Sequence, residues 1–225
     1  MIPVRWLLVK TGEEPADDAW LAPAERDHLE TLRIPHRRED WRLGRWAAKK
    51  ALAAALDLPA DSLARLEIRP AEDGAPEPFL DGNPVPWDLS LTHRDGHAAA
   101  AVAPAGTALG CDLECVEPRS GLFVQDYFTE AERAVIETDR LLLANLLWSA
   151  KESALKALRV GLRMDTRDVE VTLGKDEAVD GWRTFAVRHR ESGRRFEGWW
   201  RREGGMVATV VAGAVERTDQ PISLS

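Results

Sequence analysis

The order of apolar and polar positions along the chain predicts a mixture of short strands and a few helices. Short apolar stretches bounded by turn residues are typical of strands. The predicted strands are Val4–Val9, Asp88–Thr92, His97–Ala103, Thr107–Glu114, Val169–Leu173, Trp182–Arg188, Phe196–Trp200 and Met206–Ala212. Longer stretches rich in good helix formers predict helices. The predicted helices are Pro23–Leu32, Arg37–Leu56 and about Arg140–Leu158.

Capping and turn signals mark where these elements begin and end. Thr129 and Glu132 have the spacing of a capping box, which predicts the start of a further helix. Gly161 is placed to end the last long helix, because glycine readily adopts the left-handed conformation found there. Residues 70–86 are rich in Gly and Pro, so we expect a turn-rich connection with at most a short hairpin.

One internal similarity relates the two long helices. When Trp46–Leu56 is aligned without a gap to Trp148–Leu158, Trp, Ala, Lys, Ala and Leu coincide. This match indicates a duplication, although two helices rich in Ala and Lys can also match by composition alone. A duplicated chain divides into an N-terminal lobe of residues 1–106 and a C-terminal lobe of residues 107–215. The polar residues 216–225 would then form a frayed tail.

Composition limits the class of protein. The chain has 225 residues, of which 44% are hydrophobic, enough for one substantial domain or two small lobes. The net charge is −8 and no long basic run occurs, which argues against general binding to nucleic acid or to a membrane surface. Any phosphate site must therefore be a local basic cluster. We also find no signal peptide or membrane span, so we expect a cytoplasmic protein.

The chain has only two cysteines, Cys111 and Cys115. No His or Cys accompanies them at the spacing of a zinc site. In a cytoplasmic protein we expect both to be reduced structural residues.

Two segments carry the candidate chemistry. In Gly110–Glu114, Asp112 and Glu114 are separated by one residue, so on a strand both carboxylates project from the same face. In Trp148–Lys156, Glu152 and Lys156 are four residues apart, so on a helix they share a face. Three carboxylates can hold Mg²⁺ together with substrate phosphates, and a lysine can neutralise the remaining phosphate charge. Each segment alone could instead be solvated acids at a strand end or a surface ion pair.

Together these segments resemble the signatures of the Sfp-type 4′-phosphopantetheinyl transferases. Those signatures are G-[VI]-D-x-E and, some forty residues later, [FW]-[SCT]-x-K-E-[SA]-x-x-K. The second is matched at every position, and the first departs only at Cys111, where a small apolar thiol can fill the same buried position. The resemblance covers roughly Arg37–Gly161.

The resemblance implies an α+β fold of two similar α/β lobes, related by a pseudo-twofold axis, with coenzyme A in the cleft between them. It implies Mg²⁺ bound by Asp112, Glu114 and Glu152, with Lys156 as a catalytic cation. Glu152 would ligate the metal, accept the proton of the incoming serine, or do both. These roles stay open at the level of sequence.

Further residues are implied to bind coenzyme A. The segment Ser90–His93 resembles a histidine motif, in which Thr92 and His93 lie beside the 3′-phosphate. Arg37 and Arg45 match phosphate-binding arginines, whose planar fork suits phosphate oxygens. Lys151 and Lys156 would contact the diphosphate. One departure is Ala75, where relatives carry a basic side chain, and that role could pass to Arg94 or Lys151.

The implied reaction is transfer of phosphopantetheine from coenzyme A to a serine of an apo acyl, peptidyl or aryl carrier protein, with release of 3′,5′-adenosine diphosphate. We expect a monomer, because a two-lobed chain needs no partner subunit to complete a cleft. The carrier would dock on the segment after Glu114, although the apolar residues there could simply cover the core. Those residues are Leu122, Phe123, Tyr127 and Phe128.

Two other functions remain open from sequence. One is a different Mg²⁺-dependent phosphotransferase or nucleotide hydrolase, which would use the same acids without a carrier protein. The other is an inactive relative that serves as a binding protein, given Ala75. The pathway that any carrier protein serves is not encoded in these motifs.

Overall fold

The structure is a computed structural model that describes residues 3–175, 178–213 and 222–223. The helices are α1 (Pro23–Thr31), α2 (Pro35–Ala55), α3 (Gly121–Tyr127), α4 (Glu130–Ile136) and α5 (Arg140–Ala157). The strands are β1 (Arg5–Lys10), β2 (Leu66–Pro70), β3 (Pro76–Leu80), β4 (Asn83–Pro84), β5 (Trp87–Arg94), β6 (His97–Pro104), β7 (Ala108–Cys115), β8 (Val169–Leu173), β9 (Arg183–His189), β10 (Arg195–Glu203), β11 (Met206–Gly213) and β12 (Ile222–Ser223). Short 3-10 helices cover Ala60–Arg65, Gly161–Arg163 and Thr166–Asp168.

The strands form three sheets. The first has the order β12-β1-β6-β5, the second the order β7-β11-β10-β9-β8, and the third the order β2-β3-β4. Neighbouring strands are antiparallel except for β12, which pairs parallel to β1. The result is a mixed fold of helices and sheets, as the order of apolar segments predicts.

The predicted strands are confirmed to within a few residues at their ends, and the Thr129–Glu132 capping box opens α4. The prediction for Gly161 is wrong, because α5 ends earlier and the left-handed residue that follows it is Arg159, with φ of 58°. Within the predicted frayed tail, Ile222–Ser223 form β12, which pairs with β1. The other residues of that tail lie outside the described part.

Strand β6 shows how small residues bring the layers together. Its alanines are fully buried on both faces. Ala98 and Ala100 pack with α2 in one apolar cluster, while Ala99, Ala101 and Ala103 pack in a second cluster that also contains residues of β7, β10 and β11. Alternate residues of a strand point to opposite faces, so the first sheet is covered by α2 on one side and by the second sheet on the other.

A third apolar cluster joins α5 to the outer face of the second sheet. It includes Ala150 and Ala154 of the helix with Val171, Val187 and Val211 of the strands. Each long helix therefore covers one sheet. None of the helices in the described ranges has both the length and the apolar composition needed to cross a membrane.

The two larger sheets meet where β5 and β7 lie side by side. Both are edge strands of their sheets. The amide of Cys111 donates a hydrogen bond of 2.9 Å to Ser90 Oγ, and the Cys111 thiol contacts the Ser90 carbonyl oxygen at 3.3 Å. Cys111 is fully buried and reduced, as predicted. This junction places the acidic end of β7 next to the end of β5.

Candidate active site

Gly110 allows β7 to lie directly against α5. A Cβ atom at this position would lie 1.8 Å from the carbonyl oxygen of Ser153 and 2.9 Å from the backbone nitrogen of Ala157. No side chain fits in that space, because both neighbours are helix backbone. The glycine of the first motif is thus required for close approach, and this approach brings the acids of β7 to the acid of α5.

The residues of the second motif lie on two faces of α5, one buried against the second sheet and one partly exposed. Ser149 and Ser153 are fully buried and hydrogen-bond the Thr209 hydroxyl of β11, at 2.8 and 2.7 Å. On the other side, Trp148, Glu152 and Lys156 are partly exposed. The spacing of three to four residues keeps these last three on one stripe of the helix.

Asp112 is held by two donors through one of its oxygens. Its Oδ1 accepts hydrogen bonds from Thr92 Oγ1 at 3.1 Å and from Lys156 Nζ at 2.9 Å. Lys156 also donates to the Cys111 carbonyl oxygen at 2.8 Å. The second oxygen, Oδ2, is buried and has no hydrogen-bond partner within the described ranges. A buried carboxylate oxygen without a partner is costly, so this atom is suited to bind a cation or a hydrogen-bond donor.

Glu114 is held by residues that sequence reasoning missed. Its carboxylate accepts hydrogen bonds from Arg119 Nη2 at 2.8 Å and from Trp148 Nε1 at 3.2 Å. Arg119 in turn donates to the buried Asn145 side chain at 2.6 Å. Burial raises the pKa of Glu114, and the negative charge of Asp112 adds to this rise, while the arginines beside it oppose it.

Glu152 is the most strongly perturbed acid of the site. Burial raises its pKa to about 7, and the negative charges of Asp112 and Glu114 add to the rise. Lys156 opposes them. Burial lowers the pKa of Lys156, but the surrounding groups, above all the carboxylate of Asp112, together hold this pKa above its ordinary value. A perturbed acid beside a charged lysine is typical of functional sites.

The fit of these acids to a divalent cation depends on which of their oxygens are already paired. Within residues 3–175, 178–213 and 222–223, no three His, Cys, Asp or Glu side chains form a ready metal-binding cluster. The unpaired Oδ2 of Asp112 and the raised pKa of Glu152 both fit a cation, because positive charge would relieve each of them. Glu114 is already paired with Arg119. Asp112 and Glu152, completed by substrate oxygens, therefore fit Mg²⁺ more directly than Glu114 does.

A cleft of about 760 Å³ opens beside Lys156. It lies between the β2–β3 hairpin, the first residues of β5 and β7, and the end of α5, and its size suits a small organic ligand. Six cationic and three acidic side chains line it. The cationic ones are Arg45, Arg69, Lys156, Arg159, Arg163 and Arg194, and the acidic ones are Asp73, Glu77 and Asp88.

The predicted ligands of coenzyme A are distributed unequally around this cleft. Arg45 lines it, with Nε 3.6 Å from Glu25 and with its guanidinium 4.6 Å from the centre of the Trp41 ring. Thr92 lies at the acid site through Asp112 and is not part of the described lining. The lining also lacks Arg37 and His93.

Arg37 and His93 are both exposed. His93 Nδ1 lies 3.7 Å from Asp40 on α2. Their predicted contacts with the phosphate groups of coenzyme A therefore gain no support from the position of the cleft.

The prediction for Lys151 is wrong. This side chain is fully buried, pairs with Glu132 at 2.9 Å, and donates to the carbonyl oxygens of Thr166 and Val169 at 2.8 and 2.6 Å. With its donors used inside the core, it cannot reach a diphosphate or replace the basic side chain that is missing at Ala75.

Arg94 does not replace that side chain either, because it pairs with Glu117 at 3.1 Å and is not part of the described cleft lining.

The sequence does contain a signal for the residues that surround Glu114. Asn145 and Trp148 precede Glu152 and Lys156 at helical spacing, so all four lie on one face of α5.

Comparison with known families identifies the segment that carries this site. Residues 108–199 match the family model of the 4′-phosphopantetheinyl transferase superfamily. The match supports phosphopantetheinyl transfer in general, and the superfamily uses coenzyme A and carrier proteins. The matched segment begins at β7 and includes Asp112, Glu114, Glu152 and Lys156. A search of curated proteins found no match.

Proposed function

We propose that this protein transfers phosphopantetheine from coenzyme A to a serine of an apo acyl, peptidyl or aryl carrier protein. The observation that carries the proposal is the contact between Asp112 and Lys156, which lines the cleft, with Glu152 near enough for both charges to affect its pKa. All three residues lie within the segment that matches the superfamily. An unpaired buried acid oxygen, an acid with a pKa of about 7 and a charged lysine suit chemistry on a diphosphate.

Asp112 and Glu152 would hold Mg²⁺, with Glu114 beside them. When bound, Mg²⁺ would neutralise negative charge on the diphosphate and on the leaving group. The ammonium group of Lys156 has three N–H donors, of which one binds Asp112 and one binds the Cys111 carbonyl oxygen. The Lys156 side chain lines the cleft and is 31% exposed. It can therefore donate to a diphosphate oxygen. Arg45, which also lines the cleft, would contact a further phosphate oxygen.

The chemical step forms one bond and breaks one. The hydroxyl oxygen of the carrier serine attacks the β-phosphorus of coenzyme A, and the anhydride bond to the α-phosphate breaks. 3′,5′-Adenosine diphosphate leaves. Glu152 would ligate Mg²⁺, accept the serine proton, or do both, because it lies close enough to Asp112 and Lys156 to be affected by their charges.

The predicted two-lobed arrangement belongs to this proposal. The similarity of α2 and α5, each with a buried lysine at the same aligned position, supports a duplication. We propose that the lobes act as one monomer with the acid site in the C-terminal lobe.

The carrier would dock beside α3, where Leu122 and Tyr127 are exposed. Phe128 is not part of that surface, because it is 1% exposed and packs in the core.

The decisive test is mass spectrometry of apo carrier proteins incubated with coenzyme A, Mg²⁺ and the protein. We expect a mass gain equal to phosphopantetheine on the carrier serine, dependent on Mg²⁺ and lost with EDTA. A nucleotide product without any modified carrier, across acyl, peptidyl and aryl carriers, would instead favour a hydrolase. Neither product together with tight binding of coenzyme A would favour an inactive binding protein.

A further inference from the structure

The two acids of β7 differ in how many of their oxygens are free. Asp112 is 7% exposed, and its Oδ2 has no hydrogen-bond partner within the described ranges, so this oxygen is open to a cation. Glu114 is also buried, but a donor lies on each of its two oxygens. Arg119 Nη2 donates to Oε2 at 2.8 Å, and Trp148 Nε1 donates to Oε1 at 3.2 Å. The first acid thus offers an unpaired oxygen, whereas the charge of the second is balanced by an arginine.

Arg119 is fixed in this position by α5. Its Nε donates a hydrogen bond of 2.6 Å to Oδ1 of Asn145, a fully buried side chain. The Asn145 amide donates in turn to the carbonyl oxygen of Glu117 at 2.7 Å, so it also holds the segment that follows β7. The Arg119 guanidinium lies 5.1 Å from the centre of the Phe123 ring, and the side chain is only 17% exposed. Arg119 is therefore held in place and is not a solvated surface arginine.

The balance of charge at the acids determines how strongly they attract a cation. Three carboxyl groups lie there, on Asp112, Glu114 and Glu152, and two positive charges oppose them, on Lys156 and Arg119. The affinity of a site for a divalent cation rises with the number of charged oxygen ligands. An arginine paired with one of three acids occupies a ligand oxygen and also repels the cation. The diphosphate of a nucleotide would supply the negative charge that this pairing removes.

We propose that Arg119 is a positioning residue that keeps Glu114 paired and thereby lowers the affinity of the acid site for a free divalent cation. The cation then binds tightly only together with the diphosphate of the nucleotide. This inference rests on the proposed function, which puts Mg²⁺ at these acids. It goes beyond that function because it gives Arg119, which lies outside both sequence motifs, control over when the cation binds.

The test is titration of the nucleotide-free protein with Mn²⁺, followed by the electron paramagnetic resonance signal of the unbound ion. Mn²⁺ is the probe because it prefers the same oxygen ligands as Mg²⁺. Arg119→Gln should bind Mn²⁺ about tenfold more tightly than wild type, because it removes a positive charge and frees a carboxylate oxygen. Arg119→Lys retains the charge and should stay within about threefold of wild type.

Matched variants separate the pairing of Glu114 from a general change of charge. Arg119→Gln combined with Glu114→Gln should return the Mn²⁺ affinity to within about threefold of wild type, because no carboxylate is then released. Arg94→Gln should raise the affinity less than Arg119→Gln, because Arg94 Nη2 lies 3.7 Å from Glu114 and donates to Glu117 instead. Arg140→Gln should leave the affinity unchanged, because Arg140 is an exposed arginine paired outside this site.

Three results would overturn the inference. Weaker Mn²⁺ binding by Arg119→Gln would show that Arg119 holds Glu114 in place as a ligand, and equal binding would show that the pairing has no effect on the cation. A gain that persists in the double variant would assign the gain to charge alone. If Arg119→Gln does not fold, Trp148→Phe decides, because it removes the donor on Glu114 Oε1 and should raise the affinity about threefold. No rise in that variant would reject the inference.

Carrier modification by the wild-type protein separates the two proposals. If the wild type modifies a carrier protein while Arg119→Gln gains no affinity for Mn²⁺, only the role of Arg119 fails. If neither the wild type nor the variants bind Mn²⁺ and no carrier is modified, the proposed function fails as well.

Discussion

The N-terminal and C-terminal halves bury the same ion pair, but only one half adds chemistry to it. In the N-terminal half, Lys49 of α2 pairs with Glu25 of α1 and donates to two carbonyl oxygens at 3.1 Å. In the C-terminal half, Lys151 of α5 pairs with Glu132 of α4 in the same way. Lys49 and Lys151 occupy equivalent positions in the alignment of the two helices.

The two glutamates are also equivalent in their contacts. Glu25 accepts hydrogen bonds from the amides of Ala22 and Ile68, at 3.0 and 3.1 Å. Glu132 accepts from the amides of Thr129 and Val171, at 2.8 and 2.9 Å. In each half, one glutamate thus joins the start of a short helix, a lysine of the long helix and an edge of a sheet.

The difference lies at the next positions along each long helix. Lys50 stacks on the Trp46 ring at 5.6 Å, whereas the aligned Glu152 lies among acids and has a raised pKa. The position aligned with Lys156 is Ala54. The comparison teaches that the lysine shared by both helices is structural, and that the residues present in only one half carry the chemistry.

The largest expected effect comes from breaking the shared ion pairs. Burial lowers the pKa of both Lys49 and Lys151, and the paired glutamate opposes this, so each lysine depends on its partner for its charge. Lys49→Met and Lys151→Met should each lower the free energy of unfolding by about 3–5 kcal/mol, because each leaves a buried carboxylate unpaired. Urea denaturation of the two variants measures this.

A double variant separates lost pairing from lost packing. Adding Glu132→Gln to Lys151→Met removes the unpaired charge and should recover at least about 1 kcal/mol. Equal stability of the single and double variants would reject a charged pair. A large loss in one half and none in the other would break the equivalence of the halves.

The second prediction concerns the aligned positions that differ. Glu152→Gln should reduce kcat of carrier modification by about 10²–10⁴-fold, the range for loss of a group that acts in proton transfer or charge stabilisation. Lys50→Gln, its counterpart in α2, should leave kcat within about twofold of wild type. Steady-state assays at saturating Mg²⁺ measure both. Near-wild-type turnover of Glu152→Gln would remove Glu152 from the catalytic site.

The third prediction uses one glycine in each half. Gly110→Ala places a Cβ against the backbone of α5, so we expect a loss of about 3 kcal/mol or more in unfolding free energy. Gly44→Ala in α2 meets only Leu91 Cδ1, at 3.7 Å, and should be neutral or stabilising by up to about 1 kcal/mol, since alanine favours helix. Urea denaturation of both variants measures these changes in unfolding free energy. A tolerated Gly110→Ala would mean that α5 can move away from β7.

The fourth and smallest prediction is a dependence of stability on pH. The pKa of Glu152 is about 7 in the folded chain and 4.5 in its ordinary state, so the metal-free protein loses stability as the pH rises through this window. Glu152→Gln should therefore be more stable than the metal-free wild type at pH 8, by about 1–3 kcal/mol, and by less at pH 5.

Mg²⁺ should reverse this difference at pH 8, because a bound cation relieves the repulsion between the acids. Thermal unfolding of wild type and Glu152→Gln, each with EDTA and with Mg²⁺, measures this difference in stability. A variant that is less stable than wild type at pH 8 without metal would contradict the strained-acid interpretation of Glu152.

Most elements follow from local pattern, and the exceptions share a cause. Apolar periodicity extends over enough residues in α2, α5 and β6 to predict them directly. Leu66–Pro70 is only five residues long, ends in proline and precedes a turn-rich segment, so its pattern does not distinguish a strand from a loop. It becomes β2 because β3 pairs with it.

The acid site shows the same division. The spacing within Gly110–Glu114 and Trp148–Lys156 predicted Asp112, Glu152 and Lys156 as site residues. Lys156 does bind Asp112, and Glu152 lies near enough for their charges to affect its pKa, while the catalytic roles of all three stay predictions. Whether Mg²⁺ binds there remains a prediction.

The sequence by itself determined most of the elements, the acid-bearing strand and helix, and the position of Glu152 and Lys156 on one face of that helix, because these depend on residues close together in the chain. Only the tertiary structure decided that Lys151 is buried against Glu132, that Trp148 and Arg119 hold Glu114, and that Arg159 reaches Asp73. Each of these contacts joins residues from different elements, so its strength depends on burial and on which face of α5 meets each sheet. Local spacing carries no information about either.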